Sequence, residues 1–463
     1  MNKPFAISIA PPVLILSVLI LCPDRVAAQQ TPPAEQPVLH QIVAAVSADR
    51  VEADIRRLVD FGTRHTLSDT LSETRGIGAA RRWIKAEFER ISAACGDCLE
   101  VMYTSSMVSG ERRIPDSTLV VNVIAIQRGT SDPDRYVMMS GDIDSRVSDA
   151  MNATSDSPGA NDNASGLAGV LELARVLTRH RFGASIVYAA LSGEEQGLFG
   201  GQQLAAQAVE EGWRLEAVLN NDMIGNIEGI NGVIDNSTAR VFSEGTRAVE
   251  TEREATIRRF TGGEVDSPSR NLARYVDRMA EEYIPNLDVM MIYRLDRFGR
   301  GGHHRPFNDA GFPAVRIMET NEHYDRQHQD LRVEDGIHYG DVIDGVDFDY
   351  AARLTALNAV TLASLAWAPP PPAGVRISGA VTSSTTLSWE ATDPRLAPDH
   401  AGYAVFWRFT DSPTWDHSLF VGGVNEFTLE NVVIDNYLFG VASVSEAGFR
   451  SPVVFPGPAG AFP

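Results

Sequence analysis

The segment "ASGLAGVLELARVLTRHRFGASIVYAAL", residues 164–191, carries the pattern that decides the fold. Residues 164–177 predict a helix, and the short apolar run at 185–191 predicts a strand. The alternation continues with a predicted helix near 197–209 and a predicted strand at 215–221. Strands that alternate with helices in this way indicate crossover connections between parallel strands.

The same alternation extends to both sides of this segment. Apolar runs at 119–126 and 136–140 predict two strands before it, and a run at 313–319 predicts a strand after it. Residues 349–366 predict a closing amphipathic helix. The predicted fold class is therefore α/β, with a mostly parallel central sheet and helices on both faces, followed by an all-β immunoglobulin-like sandwich.

Two further stretches have helical character. The pattern from Val51 to Ile91 is helical, and between 77 and 91 its apolar residues fall on one face. The stretch "SPSRNLARYVDRMAEEYIP", residues 267–285, predicts an amphipathic helix that covers the cleft of the protein.

The chain divides into four predicted segments. The first has Lys3, an apolar stretch and the small residues "VAA" before a cleavage point, which is typical of a signal peptide. The third contains "PPPP", which is typical of a stiff linker, and the fourth has the short alternating runs of a sandwich. The predicted segments are a signal peptide at 1–28, the α/β domain at 29–367, a proline-rich linker at 368–373 and the sandwich at 374–463.

Composition and charge exclude several classes of partner. The 463 residues carry a formal net charge of −21, which would be repelled by a phosphate backbone or an anionic membrane surface. Apart from the amino-terminal segment, no stretch is long and apolar enough to cross a bilayer. We therefore expect a protein that is secreted or periplasmic, is not integral to a membrane and does not bind nucleic acid.

The sequence contains three cysteines. Removal of the signal peptide takes away Cys22 and leaves Cys95 and Cys98, in "ACGDCLE". A CxxC pair can be a redox or metal pair, but a zinc site would need a second such pair or two histidines nearby. In an exported protein the pattern favours a structural disulfide between Cys95 and Cys98.

Acidic residues follow the predicted parallel strands. Ligands of open α/β sheets bind at the carboxyl ends of the strands, so these acids are expected to converge on one edge. Each acid alone would be interpreted as a helix cap, a turn residue or a solvated surface group. Together they would repel one another strongly in a poorly solvated cleft, and divalent metal ions held by Asp, Glu and His are the natural solution. The residues in question are Asp142, Asp162, Glu194, Glu195, Asp222 and the histidines between 323 and 328.

The motifs make this interpretation specific. The order "GDIDSR", "PGANDNASG", "LSGEEQGLFGG", "NNDMIGN" and "METNEHYDRQHQ" resembles the co-catalytic zinc aminopeptidase family, which includes bacterial leucyl aminopeptidases and aminopeptidase Y. The resemblance covers about residues 50–365. The segment after the proline run resembles, more loosely, a fibronectin type III domain.

The resemblance implies two divalent ions, zinc in the family. Asp162 would bridge them, and Glu194 would be the general base that takes a proton from water. Asp144 would support the site from behind its ligands. The implied ligands are Asp142, Asp162 and Asp222 for the first ion and Asp162, Glu195 and His328 for the second.

The first ion site departs from the family, which has a histidine at the position of Asp142. A site made of Asp142, Asp162 and Asp222 favours Mn²⁺, Mg²⁺ or Ca²⁺, so we hypothesise a weaker, exchangeable first site beside a firmer zinc site. Asp144 cannot orient an ionised Asp142, and we expect it to be held by Arg146 or by a backbone donor instead.

Histidines raise two further choices. For the second site, His328 is favoured over His323 because Tyr324 precedes it and Asp330 follows it, as in the family's ligand segment. His303 and its neighbour, in "RGGHHRPFNDAGFP", are interpreted either as oxyanion-stabilising groups or as part of a polar loop, and neither is placed in the catalytic set.

The predicted function is that of a secreted metal-dependent exopeptidase that removes residues from the amino termini of peptides. Two alternatives remain at this point. One is a single-zinc enzyme similar to glutaminyl cyclases, which share the fold and a pair of glutamates. The other is a non-catalytic secreted binding protein with a degenerate metal site, against which the intact Glu194 argues.

Overall fold

Eight strands of the described chain, residues 31–463, form one central sheet in this computed structural model. The strands of the chain are β1 (Leu99–Val108), β2 (Thr118–Gln127), β3 (Asp132–Asp142), β4 (Ala184–Leu191), β5 (Arg214–Asn221), β6 (Thr238–Ser243), β7 (Asp288–Ile292), β8 (Ala314–Glu319), β9 (Arg332–Glu334), β10 (Ile337–Tyr339), β11 (Arg376–Ser378), β12 (Thr385–Ser388), β13 (His400–Phe409), β14 (His417–Gly422), β15 (Glu426–Leu429) and β16 (Tyr437–Ser445). The α-helices are α1 (Pro37–Ala45), α2 (Ala48–Val59), α3 (Gly76–Ala94), α4 (Ala164–Leu177), α5 (Glu194–Gly197), α6 (Phe199–Glu210), α7 (Glu252–Thr261), α8 (Pro268–Tyr283), α9 (His304–Asp309) and α10 (Phe348–Trp367).

The strand order of the central sheet is β1-β2-β4-β3-β5-β8-β6-β7. The middle pairs, β4 with β3, β3 with β5 and β5 with β8, are all parallel. The antiparallel pairs lie towards the edges, where β1 joins β2, β2 joins β4, and β6 joins β8. The predicted mostly parallel sheet is therefore confirmed, and the carboxyl ends of its central strands meet at one edge.

Helices cover both faces of this sheet, as predicted. Along β3, Val137 and Met139 belong to a core shared with α2, α3, α4, α8 and α10, whereas Tyr136 and Met138 belong to a second core on the side of α6 and α9. This alternation follows from the period of two in a strand, which turns successive side chains to opposite faces. Burying each such apolar side chain contributes about 1.5–3 kcal/mol.

Two helical predictions need correction. The helical stretch predicted from Val51 to Ile91 is two helices, α2 and α3, separated by a turn region that contains Gly62 at positive φ. The helix predicted over 267–285 exists as α8, but it does not cover the cleft. It packs under the sheet against α10 and β7, because its buried face is part of the larger core.

The carboxyl-terminal segment forms two three-stranded antiparallel sheets, β11-β12-β15 and β14-β13-β16. Their shared core includes Leu387, Tyr403 and Phe439. This agrees with the sandwich pattern, while the fibronectin type III assignment and the four segment boundaries stay predictions.

A buried ion-pair cluster joins these sheets to α8. The carboxylate of Asp266, which is 0% exposed, accepts bonds from Arg408 Nη2 at 2.9 Å and from Arg274 Nη1 at 3.0 Å. Arg274 also donates to the carbonyl oxygen of Pro413 at 2.6 Å. We call these three side chains the Asp266 anchor.

Other predictions concern the ends of the chain and its cysteines. The predicted signal peptide lies outside the described residues. Within residues 31–463, no helix is long and apolar enough to span a bilayer. Cys95 and Cys98 form a disulfide with Cα atoms 5.6 Å apart, directly after α3.

Candidate metal centre

The site lies at the carboxyl edge of the central strands. Asp142 ends β3, Glu194 and Glu195 begin α5 directly after β4, and Asp222 follows β5. Asp162 lies two residues before α4, and the peptide bond that follows Asp162 is cis. All of the acids except Asp142 line an open cavity of about 1050 Å³.

Three side chains from distant segments form a ligand group. His328 Nε2 lies 2.9 Å from Asp162 Oδ2 and 2.9 Å from Glu195 Oε1. One ligand atom from each of the three residues lies within 4.8 Å of the other two. Carboxylate oxygen and imidazole nitrogen are common ligands of Zn²⁺, so this donor set fits a zinc ion. It is the only such group that the described part of the chain forms.

The electrostatics of the group favour a positive charge beside its two carboxylates. Although burial works against protonation, Glu195 and Asp162 raise the pKa of His328 to about 9. Burial likewise opposes ionisation of Asp162, but the neighbouring His328 lowers the pKa of this carboxyl below its usual range. A positive charge beside the two carboxylates is therefore favoured, and a bound divalent ion would supply one.

Arg146 sets the position of two of these ligands. It donates to Glu195 Oε2 through Nε at 2.7 Å, and its Nη2 lies 2.7 Å from His328 Nδ1, which can accept this bond only when the imidazole is neutral. Neutral imidazole has one lone pair, so this bond to Nδ1 and metal ligation through Nε2 are alternatives. We expect Arg146 to keep its bond to Glu195 and to release His328 when the ion binds.

Glu194 is placed as a base. It lines the cavity beside the ligand Glu195, and burial together with the charges of Glu195 and Asp222 raises its pKa well above the ordinary value. The backbone N–H groups of Glu194 and Glu195 donate to the carboxylate of Asp144, at 3.3 and 3.0 Å. The expectation that a backbone donor holds Asp144 agrees with this geometry, and Arg146 has the different role described above.

Asp341 holds the other side of the ligand group. Its carboxylate accepts the backbone N–H of Asn161 at 2.9 Å and that of Asp162 at 2.6 Å. It therefore fixes the segment that precedes α4, as Asp144 fixes the start of α5. Nothing in the predicted site pointed to Asp341, because it lies in a loop far along the chain.

The two remaining predicted ligands, Asp142 and Asp222, are not part of the ligand group. Asp142 accepts His303 Nδ1–H at 2.5 Å and Asn163 Nδ2 at 2.9 Å. Asp222 Oδ2 lies 2.7 Å from Arg316 Nη2, although burial still raises its pKa to about 8. The prediction of a first ion on these two acids stays a prediction.

Comparison with known proteins places the chain in a family. The profile described as Peptidase family M28 matches residues 122–341. A probable zinc metalloprotease of Leptosphaeria maculans is 44% identical over 427 residues, which are 92% of this chain and 98% of the relative. The chain belongs to peptidase family M28. A probable zinc metalloprotease of Pyrenophora teres f. teres is 42% identical over 94% of this chain and 90% of the relative.

Two solved structures share the fold. The aminopeptidase LapA of Legionella pneumophila aligns with a TM-score of 0.53 at 18% identity, over 74% of this chain and 78% of that one. LapB of the same organism aligns with a TM-score of 0.51 at 17% identity, over 73% and 77% of the two chains. The predicted resemblance and the metallopeptidase class are confirmed, and the M28 relatives support zinc as the metal.

The sequence analysis missed the cationic side chains of the M28 site. Arg316 lies in the apolar strand "PAVRIME", and a lone charge in a buried strand was the signal that could have revealed it. Arg297 lies 3.8 Å from Asp222 in a segment without a legible motif. His303 is not part of the predicted catalytic set, although it is bonded to the predicted ligand Asp142.

Glu319 should make stability depend on pH. This last residue of β8 is buried and accepts bonds from Asn226 N at 2.8 Å and Asn161 Nδ2 at 2.9 Å, and burial raises its pKa to about 8. The unfolded chain releases this proton near the ordinary value of 4.5 and the folded chain near 8, so its contribution to stability is present at low pH and is lost as pH rises towards 8. The effect of one proton is at most about 1.4 kcal/mol per pH unit.

The measurement is the melting temperature of Glu319→Gln between pH 5 and 8. We expect the variant to lose less stability than the wild type as pH rises. Glu210→Gln, a change of an exposed glutamate on α6, is the matched control and should follow the wild-type curve. Parallel curves for the wild type and Glu319→Gln would contradict the assignment.

Proposed function

We propose that this chain is an exported zinc exopeptidase that releases residues from the amino termini of peptides. The observation that carries the proposal is the position of Glu194, which lines the same cavity as Asp162, Glu195 and His328. The cavity, of about 1050 Å³, is open and large enough for the end of a peptide.

The chemistry follows from these residues. Asp162, Glu195 and His328 would hold the ion, which when bound supplies Lewis acidity to the scissile carbonyl and to the attacking water. Glu194, which lines the same cavity, would take the proton of that water and return it to the leaving amine. The proposal needs this ion, and it does not need a second one on Asp142 and Asp222.

Arginines in the cavity wall favour a second candidate, cleavage at the carboxy terminus. Arg113 and Arg305 line the cavity, and neither forms an ion pair with a carboxylate of residues 31–463. A guanidinium in this position could bind the terminal carboxylate of a peptide. The same groups could instead bind an acidic side chain next to a free amino terminus.

A panel of substrates tests the proposal. We expect chelator-sensitive release of the first residue from leucyl and glutamyl anilides, and no release from their N-acetyl forms. Hydrolysis restricted to N-acetylated peptides with a free carboxylate would establish the second candidate instead. Cyclisation of a glutaminyl peptide without hydrolysis, or no chelator-sensitive turnover of any substrate, would overturn the proposal.

Export is part of the proposal. It rests on the charged, apolar and small-residue pattern of the first 28 residues. The disulfide between Cys95 and Cys98 supports it, because such bonds persist in oxidising compartments.

A further inference from the structure

Two acids that would hold a second ion are already bonded to protein groups. Asp222 Oδ2 lies 2.7 Å from Arg316 Nη2, and Arg316 also donates to the backbone oxygen of Asp222 at 3.1 Å. A guanidinium is always charged and presents several donors in a fixed plane. Asp222 therefore has a permanent cation on one of its two carboxylate oxygens, Oδ2.

Arg316 is held where it is. It is 0% exposed, and its Nη1 lies 3.1 Å from Asp296 Oδ2 and 2.9 Å from the carbonyl oxygen of Gly301. Displacing this side chain would leave a buried charge without its partners, which is strongly unfavourable. Displacement of Arg316 by an incoming divalent ion would therefore carry a large free-energy cost.

Asp142 is kept from binding an ion in a different way, because both of its oxygens are hydrogen-bonded. One of its oxygens accepts His303 Nδ1–H at 2.5 Å and the other accepts Asn163 Nδ2 at 2.9 Å. Neither Asp142 nor His303 is among the described residues that line the cavity, and they are 2% and 0% exposed. The carboxylate of Asp142 therefore faces an imidazole rather than the cavity.

The balance of charge also favours a single ion. Asp222 and Asp296 face two guanidinium groups, those of Arg316 and Arg297, at 2.7 to 3.8 Å. In the ligand group, Glu195 pairs with Arg146 through Oε2 at 2.7 Å, and its Oε1 and the carboxylate of Asp162 are left for one divalent ion. A second divalent ion beside Asp222 would add charge where that acid is already paired.

We propose that this chain binds one divalent ion, on Asp162, Glu195 and His328, and that the Arg316 guanidinium serves as a fixed cation in place of a second ion. The inference rests on the proposed function only in its choice of ligand group. Arg316 acts through Asp222, and it is a positioning residue that does not touch the substrate.

Metal stoichiometry tests the proposal directly. The full chain is incubated with excess Zn²⁺ or Mn²⁺, freed of unbound ions by gel filtration and analysed for metal. We expect one ion per wild-type chain, one ion in Asp222→Asn and none in Asp162→Asn. Two ions in the wild type, with one of them lost in Asp222→Asn, would overturn the proposal.

Variants of Arg316 provide a second test, again by counting the bound ions. Arg316→Met removes the fixed cation, so we expect this variant to bind a second Mn²⁺ or Zn²⁺, whereas Arg316→Lys keeps a cation and stays at one. A structural role alone would not raise the number of bound ions. If Arg316→Met does not fold, the wild-type and Asp222→Asn stoichiometries decide the question.

The outcomes separate this inference from the proposed function. One ion with chelator-sensitive hydrolysis supports both, and two ions with hydrolysis overturns only the single-ion inference. No ion and no hydrolysis would overturn the proposed function, and with it the ligand group on which the inference rests.

Discussion

Replacing Glu194 by glutamine is expected to lower kcat by about 10²–10⁴-fold, the range of a general base. The amide has nearly the same shape but cannot accept the proton of water. Because Glu194 lies outside the ligand group of Asp162, Glu195 and His328, the variant should keep its zinc. The measurement pairs hydrolysis of an aminoacyl anilide with metal analysis of the same sample.

Asp309→Asn is the matched control, since Asp309 is another carboxylate of the cavity wall and is outside the ligand group. It should retain hydrolysis within a few-fold of the wild type. An active Glu194→Gln variant would contradict the role of base, and one that lost its zinc would show that Glu194 is a ligand instead.

Replacing His328 by alanine is expected to remove both metal and activity. This imidazole supplies the only nitrogen of the described ligand group, with Nε2 at 2.9 Å from each of the two carboxylates. Mutation of a residue that hydrogen-bonds to a metal ligand typically weakens metal binding by about 10–100-fold. Loss of the ligand itself should therefore weaken binding by more than that. Zinc affinity measured against a competing chelator gives the size of the effect.

His323→Ala is the control for this prediction, because the two histidines were rival ligands in the sequence. His323 faces a small separate cavity beside Glu319 and Asp341, and it is not part of the ligand group of the described residues. We expect it to bind zinc like the wild type. The reverse result, with zinc lost from His323→Ala and kept in His328→Ala, would refute the ligand group.

The fold could be predicted wherever local pattern decides structure. The helix α4 has the predicted bounds, 164–177, and β4 and β5 each begin one residue before the prediction. Buried strands and their crossover helices are continuous apolar runs, which a sequence displays directly. The strands β6 and β7 were not predicted, since they lie in the region of 227–302 where no clear periodicity marks them.

The candidate site could be predicted only in part. Acids at strand ends are visible because topology alone brings them together, as it does for Glu195 and Asp222. Which of them share an ion depends on pairs far apart in sequence, such as Arg316 with Asp222 and His303 with Asp142. No local pattern encodes such pairs, and the contact between Asp142 and His303 is visible only in the folded structure.

The Asp266 anchor means that the peptidase and its carboxyl-terminal sheets are not independent modules. A chain cut within the proline run at 369–372 would lose Arg408 and the Pro413 carbonyl, and Arg274 would be left to neutralise Asp266 on a newly wetted surface of α8. Fusing the carboxyl-terminal sheets to another catalytic domain would therefore require a buried carboxylate on that domain to pair with Arg408. This requirement limits how freely the two parts can be recombined.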